Sequence, residues 1–219
     1  MKRLASTLYT LVITSILLTG CTKDSLTGEG SVVTKSRSLS AFTSVDISGM
    51  RYAEIIYSDK SMVEITGYEN LVPVFESNVK NGSLSFKYPN FTKVKNDNIK
   101  LKIYTPVLNK IRLSGSTEVV IGDGFEGQSF EANLSGLSKL SIENSQYEFF
   151  DVFSSGNSKV LAKDFIANRI KVDISGNGYL EVNAISELAI KISGNGEVHY
   201  WGNPAVSTKI SGSGKAVKH

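Results

Sequence analysis

Ile174-Ser175-Gly176-Asn177-Gly178, Ile192-Ser193-Gly194-Asn195-Gly196 and Ile210-Ser211-Gly212-Ser213-Gly214 write one short pattern three times. Upstream, Leu113-Ser114-Gly115, Leu134-Ser135-Gly136 and Ser154-Ser155-Gly156 carry the same Ser-Gly core. The six glycines lie 21, 20, 20, 18 and 18 residues apart. A fixed period near that length is the mark of a solenoid, in which each repeat forms one turn of a stack. Around each Ser-Gly the apolar residues alternate, as in Ile170, Val172, Ile174, then Leu180 and Val182. Alternation of period two describes strands with one buried face. Glycine suits the intervening turn because it reaches positive φ without a Cβ clash. Helical periodicity is absent from residues 37–219.

Three strands of four or five residues and three turns fill one such period. Each strand then pairs in parallel with its equivalent one turn on, ~4.8 Å away. The predicted fold is all-β, a parallel β-helix with coils of 18–21 residues. Unequal coils favour the right-handed type. A left-handed hexad through Ile174, Leu180, Ser186, Ile192, Val198, Pro204 and Ile210 is the alternative. Asn157, Asn177 and Asn195 hold equivalent positions, so their amides are expected to form a ladder. Ser154 stands where its counterparts are Leu or Ile, and Phe153 lies one residue out of phase. A bulge is expected there. Gly122-Asp123-Gly124 occurs once, which excludes the calcium-binding nonapeptide array.

The chain opens with Lys2 and Arg3, then an apolar run from Leu8 to Leu18 that is too short to span a bilayer. Leu18-Thr19-Gly20-Cys21 resembles the lipobox of bacterial lipoprotein precursors. That resemblance implies a signal peptide over residues 1–20, cleavage before Cys21 and acylation of Cys21, including a palmitate-type chain. Cys21 is the single cysteine, so no disulfide competes for it. Several acyl chains, at ~0.8 kcal/mol per buried CH₂, make a permanent anchor. Thr22 after the cysteine resembles outer-membrane sorting, and Lys23-Asp24 partly matches a surface-export signal. Residues 21–36 lack aromatics and periodicity and read as a lipidated tether, with a reach of roughly 20 Å. Removal of residues 1–20 takes Lys2 and Arg3 with it, leaving 22 basic against 21 acidic residues. No basic stripe remains for nucleic acid.

Residues 37–110 are β-rich but irregular, and residues 111–219 hold the regular coils. Asn81-Gly82 between apolar runs is a two-residue hairpin signal. Gly49 to Gly115 spans about three coil lengths, so the first part reads either as irregular coils or as an antiparallel cap. Either covers an open edge. The order of features is a lipobox, Phe42-x-x-Val45-x-Ile47-x-Gly49, repeated Ser-Gly-x-Gly, and a closing Tyr200-Trp201-Gly202-Asn203-Pro204 before Ser211-Gly212-Ser213-Gly214. This order resembles the GIN domain, the adhesin head domain common in Bacteroidetes lipoproteins. The resemblance covers about residues 40–218. It implies a β-helix-like fold at the cell envelope and brings no catalytic residue or cofactor.

The chemistry legible in the chain is sparse. His199 alternates with Val198 and Tyr200 and reads as a surface histidine, and His219 is the other one. No His, Asp or Glu spacing suggests a metal site, and no nucleophile, base and acid can be assembled. The Ser-Gly pairs are turn residues rather than nucleophile elbows, because no helix follows them. Acidic residues fall at differing phases of the repeat and do not stack into a row. The expected function is therefore non-catalytic: an adhesion, interaction or scaffolding module, with an envelope polysaccharide-binding or polysaccharide-cleaving protein as the alternative. Tyr147, Tyr200 and Trp201 are the candidate ligand contacts, for a protein or glycan partner. Lys209, Lys215 and Lys218 guard the last coil against strand pairing, which favours a monomer over a homodimer. Replacement of Cys21 by alanine is expected to move the protein from the detergent phase to the aqueous phase, or to leave it unprocessed. Equal phase partitioning of Cys21→Ala and wild type would refute the anchor.

Overall fold

A computed structural model describes residues 24–219 apart from Asn90. Cys21 and residues 1–20, expected to form a signal peptide, lie outside the described residues. In chain order the strands are β1 (Asp24–Thr27), β2 (Val32–Ser38), β3 (Ser44–Ser48), β4 (Tyr52–Tyr57), β5 (Met62–Tyr68), β6 (Glu76–Lys80), β7 (Ser83–Lys87), β8 (Phe91–Lys95) and β9 (Lys100–Thr105). They continue with β10 (Lys110–Ser114), β11 (Glu118–Ile121), β12 (Glu126–Gly136), β13 (Lys139–Ile142), β14 (Ser145–Gly156), β15 (Lys159–Gly176) and β16 (Tyr179–Gly194). β17 (Glu197–Trp201), β18 (Ala205–Ser211) and β19 (Lys215–Lys218) complete the set. Stacked parallel coils form a β-solenoid with about five regular turns and no helix among the described residues.

Two long faces and one short one enclose the core. The Ser-Gly face runs β7, β3, β10, then the second halves of β12, β14, β15 and β16, then β18, all in parallel register. The second face runs β9, β4, β11, β13, the first parts of β15 and β16, then β17 and β19. The third is short, with Gly127, Tyr147, Ala167 and Ala184 successively in register. Inward residues such as Val172, Ile174, Leu180, Val182 and Ile192 are buried, as the alternation requires.

Where the coils are longest the core is aromatic. Phe125, Phe130, Tyr147, Phe150 and Phe165 are all buried, and Phe150 and Phe165 approach to 4.4 Å between ring centroids. The shorter coil that follows drops residues at one corner, where the register jumps between Ala162 and Ile166, and Ala184 replaces the bulky fill. Coil length and side-chain volume thus change together, which keeps the interior packed.

The turns explain the Ser-Gly pattern. Gly176 has φ +119° and Gly194 has φ +130°, a region that L-residues avoid. A Cβ on Gly194 would stand 2.5 Å from the Gly176 carbonyl oxygen, so the backbones stack with no space for a side chain. Two residues past each glycine the longer coils carry a buried hydroxyl. Thr117 donates to the Ser114 carbonyl at 2.9 Å, and Ser138 donates to that of Ser135 at 3.0 Å. In the later coils this position is glycine, because the coil before occupies its space: a Cβ would lie 2.6 Å from Ser154 Oγ at Gly178 and 2.7 Å from Ile174 Cγ2 at Gly196. The asparagine ladder forms as expected, Asn177 donating to Asn157 at 2.9 Å and Asn195 to Asn177 at 3.3 Å.

Three expectations are corrected. No bulge occurs at Ser154, which pairs in continuous register with Leu134 and Ile174. Its buried hydroxyl shares a 2.5 Å hydrogen bond with Ser158, so a polar residue takes the apolar slot at no cost in unpaired groups, and Phe153 faces outward. Second, Gly49 and Gly115 are one rung apart, not three: β10 pairs directly with β3. The intervening chain returns to the other side of β3 and β4, where β7 and β9 add a parallel rung and β2, β5 and β6 close it antiparallel. The cap and the extra coil are therefore one structure. Asn81 and Gly82, with φ of 51° and 72°, turn its hairpin.

Third, the segment read as a tether is folded from Asp24 onward. β1 pairs with β8, β2 pairs with β5, and Gly28 is held against Asn96 and Tyr68 where a Cβ would clash. Backbone pairing needs no aromatics, so the composition gave no sign of it. Only Thr22 and Lys23 separate Cys21 from β1. Three residue steps reach roughly 11 Å, about half the reach expected of the tether.

Gly176→Ala should cost ~2 kcal/mol or more beyond Gly49→Ala, because an added Cβ on Gly49 (φ +66°) meets open space and one on Gly176 meets the Gly156 carbonyl at 2.6 Å. Equal urea midpoints for the two variants would contradict this. Ile192→Ala should cost ~2–5 kcal/mol, since the side chain is 1% exposed. A loss below ~1 kcal/mol in the same titration would refute its core role.

Candidate functional site

Outward positions on the Ser-Gly face form columns, one residue per coil. The column Asp46, Arg112, Asn133, Phe153, Asp173, Lys191 and Lys209 runs next to the serine column. Together they line an open groove of about 460 Å³ with Asp46, Arg112, Asn133, Phe153 and Asp173 along its length and Ser114, Ser135, Ser155 and Ser175 along its side. Phe153 is half-buried, and Lys171 of the next coil stands 5.7 Å from its ring centroid. On the same face a second groove of about 240 Å³ is lined by Lys171, Lys191 and Lys209.

Two ion pairs stand beside the groove. Lys191 bonds Asp173 at 2.8 Å, and Lys110 bonds Glu131 at 2.6 Å. The Lys110 and Asn133 hydrogen bonds hold the Glu131 carboxyl below its usual range, against a smaller opposing effect of burial. Glu131 and Asp151 are neighbours in register, yet a carboxyl so held is ionised at neutral pH and serves as an acceptor rather than a proton donor. Asp46 and Asp173 lie four rungs apart, ~19 Å at the inter-strand spacing. Paired carboxylates in glycoside cleavage stand ~5–9.5 Å apart. The groove can thus hydrogen-bond and stack, and the two carboxylates that line it, Asp46 and Asp173, stand beyond that range.

The three sequence-predicted contacts do not meet here. Tyr147 is 4% exposed, and its hydroxyl donates to the Leu108 carbonyl at 2.6 Å. Burial raises its phenol pKa, as expected of a core tyrosine rather than a binding platform. Tyr200 points inward and packs on the core. Trp201 faces outward on the second face, stacked on His219 at 4.6 Å. The outward aromatic on the groove is Phe153, which the sequence reading set aside as displaced. Its signal was parity: Phe149, Asp151, Phe153 and Ser155 share one outward set.

Comparison with known proteins places these features. The family described as putative auto-transporter adhesin, head GIN domain, matches residues 41–204. No curated protein matches the chain at comparable significance. Among solved structures, a putative adhesin from Bacteroides fragilis is 20% identical, covers 88% of this chain and 98% of its own, and superposes with a TM-score of 0.68. A putative adhesin from Parabacteroides merdae is 18% identical, with coverages of 90% and 99% and a TM-score of 0.59. A putative lipid binding protein from Parabacteroides distasonis is 20% identical, with coverages of 90% and 100% and a TM-score of 0.57. At these identities the three share the fold. The family match spans most of the chain, and with the Ser-Gly ladder it shows that this protein belongs to the GIN-domain family of adhesin heads.

Proposed function

We propose that the chain is a lipid-anchored, outer-membrane binding module that holds a glycan along its Ser-Gly face without cleaving it. The carrying observation is Phe153, an outward aromatic in a groove that also presents hydroxyl, amide, carboxylate and guanidinium groups. An aromatic ring stacks on the C–H face of a sugar, and the polar groups around it match sugar hydroxyls. The rigid sheet pre-organises these groups, which lowers the entropic cost of binding. Lys171, Lys191 and Lys209 extend the surface toward acidic sugar substituents. The wide Asp46–Asp173 separation supports binding rather than catalysis.

Anchorage through Cys21 would hold the capped end close to the membrane, with only Thr22 and Lys23 between. The regular coils then form the part presented to a partner, and many anchored copies bind a polymer with avidity. The lipid-binding description of the Parabacteroides distasonis structure does not transfer to the interior here. The space among Leu108, Phe125, Phe130, Tyr147 and Phe165 is too small for a water molecule, far less an acyl chain.

A glycan array with the purified full chain tests the reading. Wild type and Lys139→Ala, on the second face, should bind the same subset of glycans, and Phe153→Ala should weaken that binding at least tenfold. Absence of any glycan ligand, or equal binding by Phe153→Ala, would overturn it.

A further inference from the structure

Independently of the groove, the second face brings both histidines of the chain together at its last rungs. His199 lies in β17, and the His219 amide, following β19, bonds the Tyr200 carbonyl at 3.0 Å. This sets His199 Nδ1 2.8 Å from His219 Nε2. The other ring nitrogen of His199, Nε2, faces Glu197 Oε2 at 3.4 Å. Glu197 Oε1 in turn accepts from Lys215 at 2.9 Å. The Lys215 hydrogen bond, then that of His199, hold the Glu197 carboxyl below its usual range. Tyr179 covers His199 at 5.1 Å between ring centroids, and Trp201 covers His219. Side-chain exposure of His199 is only 18%.

A carboxylate at Nε2 keeps the proton on that nitrogen and leaves the Nδ1 lone pair free, the arrangement found where a carboxylate orients a metal-binding histidine. His219 Nε2 stands beside that lone pair, close enough for one ion to take both nitrogens. Two nitrogens ~2.0 Å from one metal lie ~2.8 Å apart at a right angle and ~3.3 Å apart at the tetrahedral angle. The observed spacing fits adjacent corners of a square or octahedron, the geometry of Cu²⁺ and Ni²⁺ with nitrogen ligands. We propose that His199 and His219 form a two-nitrogen site for a divalent transition-metal ion, Cu²⁺ before Ni²⁺ and Ni²⁺ before Zn²⁺. Glu197 is its orienting carboxylate, and the remaining positions are open to water or a partner's ligand. Among the described residues no third His, Cys, Asp or Glu completes a closed cage. The site is therefore an accessible one rather than a structural one.

Trp201 supplies the readout, because it is the single tryptophan of the chain and its ring lies 4.6 Å from that of His219. The chelator-treated full chain is titrated with copper(II) chloride at pH 7.5, following tryptophan fluorescence, with electron paramagnetic resonance of the one-equivalent complex. The expected result is saturable quenching at one equivalent, reversed by chelator, with a nitrogen-ligated copper signal. His199→Gln and His219→Gln should each raise the apparent Kd at least tenfold, and Glu197→Gln several-fold. Far-UV circular dichroism checks that the variants keep the β fold. A linear, non-saturating quench, or equal Kd values for wild type and both folded histidine variants, would leave the pair as a simple hydrogen bond and overturn the metal site.

Discussion

The stack of glycine backbones at the Ser-Gly turn is the constraint on which the other faces depend. Rungs of a parallel sheet are ~4.8 Å apart, and at this corner both rungs must turn within that distance. The Gly156 carbonyl accepts from the Asn177 amide at 2.8 Å, and the Gly176 carbonyl from Asn195 at 3.0 Å. Each coil therefore satisfies the turn of the next, and a Cβ at the glycine would part them. Once the corner is held, the register of the Ser-Gly face and of the face after it is set for the whole stack. The hydroxyl-or-glycine choice two residues later is a local answer to the same crowding. Thr117 and Ser138 bond the carbonyls of Ser114 and Ser135, whereas beside Ile174 and Ile192 of the preceding coil Gly196 and Gly214 have room only for hydrogen.

What the sequence made legible follows from this constraint. Turn glycines, inward Ile192 and the Asn157–Asn177–Asn195 ladder recur at the coil period, so they could be found by counting. What recurs nowhere could not. The chain between Gly49 and Gly115 returns to the far side of β3, and a long-range pairing of this kind leaves no local pattern in β5, β7 or β9. β1 and β2 are bound through backbone hydrogen bonds, to which the polar composition of residues 24–38 is blind. Ser154 misled for a chemical reason: its partner, Ser158, converts a polar residue into an acceptable core residue.

The candidate groove depended on parity. Phe150 and Phe153 are three residues apart in one strand, so they point to opposite faces. Composition alone makes Tyr147 with its neighbours an aromatic cluster, and only the alternation separates core rings from the outward pair, Phe149 and Phe153. The histidine pair was hidden differently. His199 and His219 are each isolated in the chain, but twenty residues is about one coil, and the solenoid turns sequence distance into side-by-side contact.

A solenoid writes structure and recognition in different kinds of column. The serine column and the asparagine column repeat the same residue because each member supports the next. The adjoining column reads Asp46, Arg112, Asn133, Phe153, Asp173, Lys191, Lys209, with no residue type on two successive rungs until the closing lysines. Its one short ion pair, Lys191 with Asp173, is half-exposed on the lysine side and contributes at most about 1 kcal/mol. Stability does not require this column to be so varied: an alternating charge ladder or another serine row would pair the backbone equally well. Variation where repetition would suffice to hold the fold, combined with concavity and one outward aromatic, separates the groove from the ladders beside it. On the second face the same reasoning reaches His199 and Trp201, whose columns hold no earlier histidine or tryptophan, whereas Tyr179 and Glu197 stand in one column with Tyr52 and Glu118.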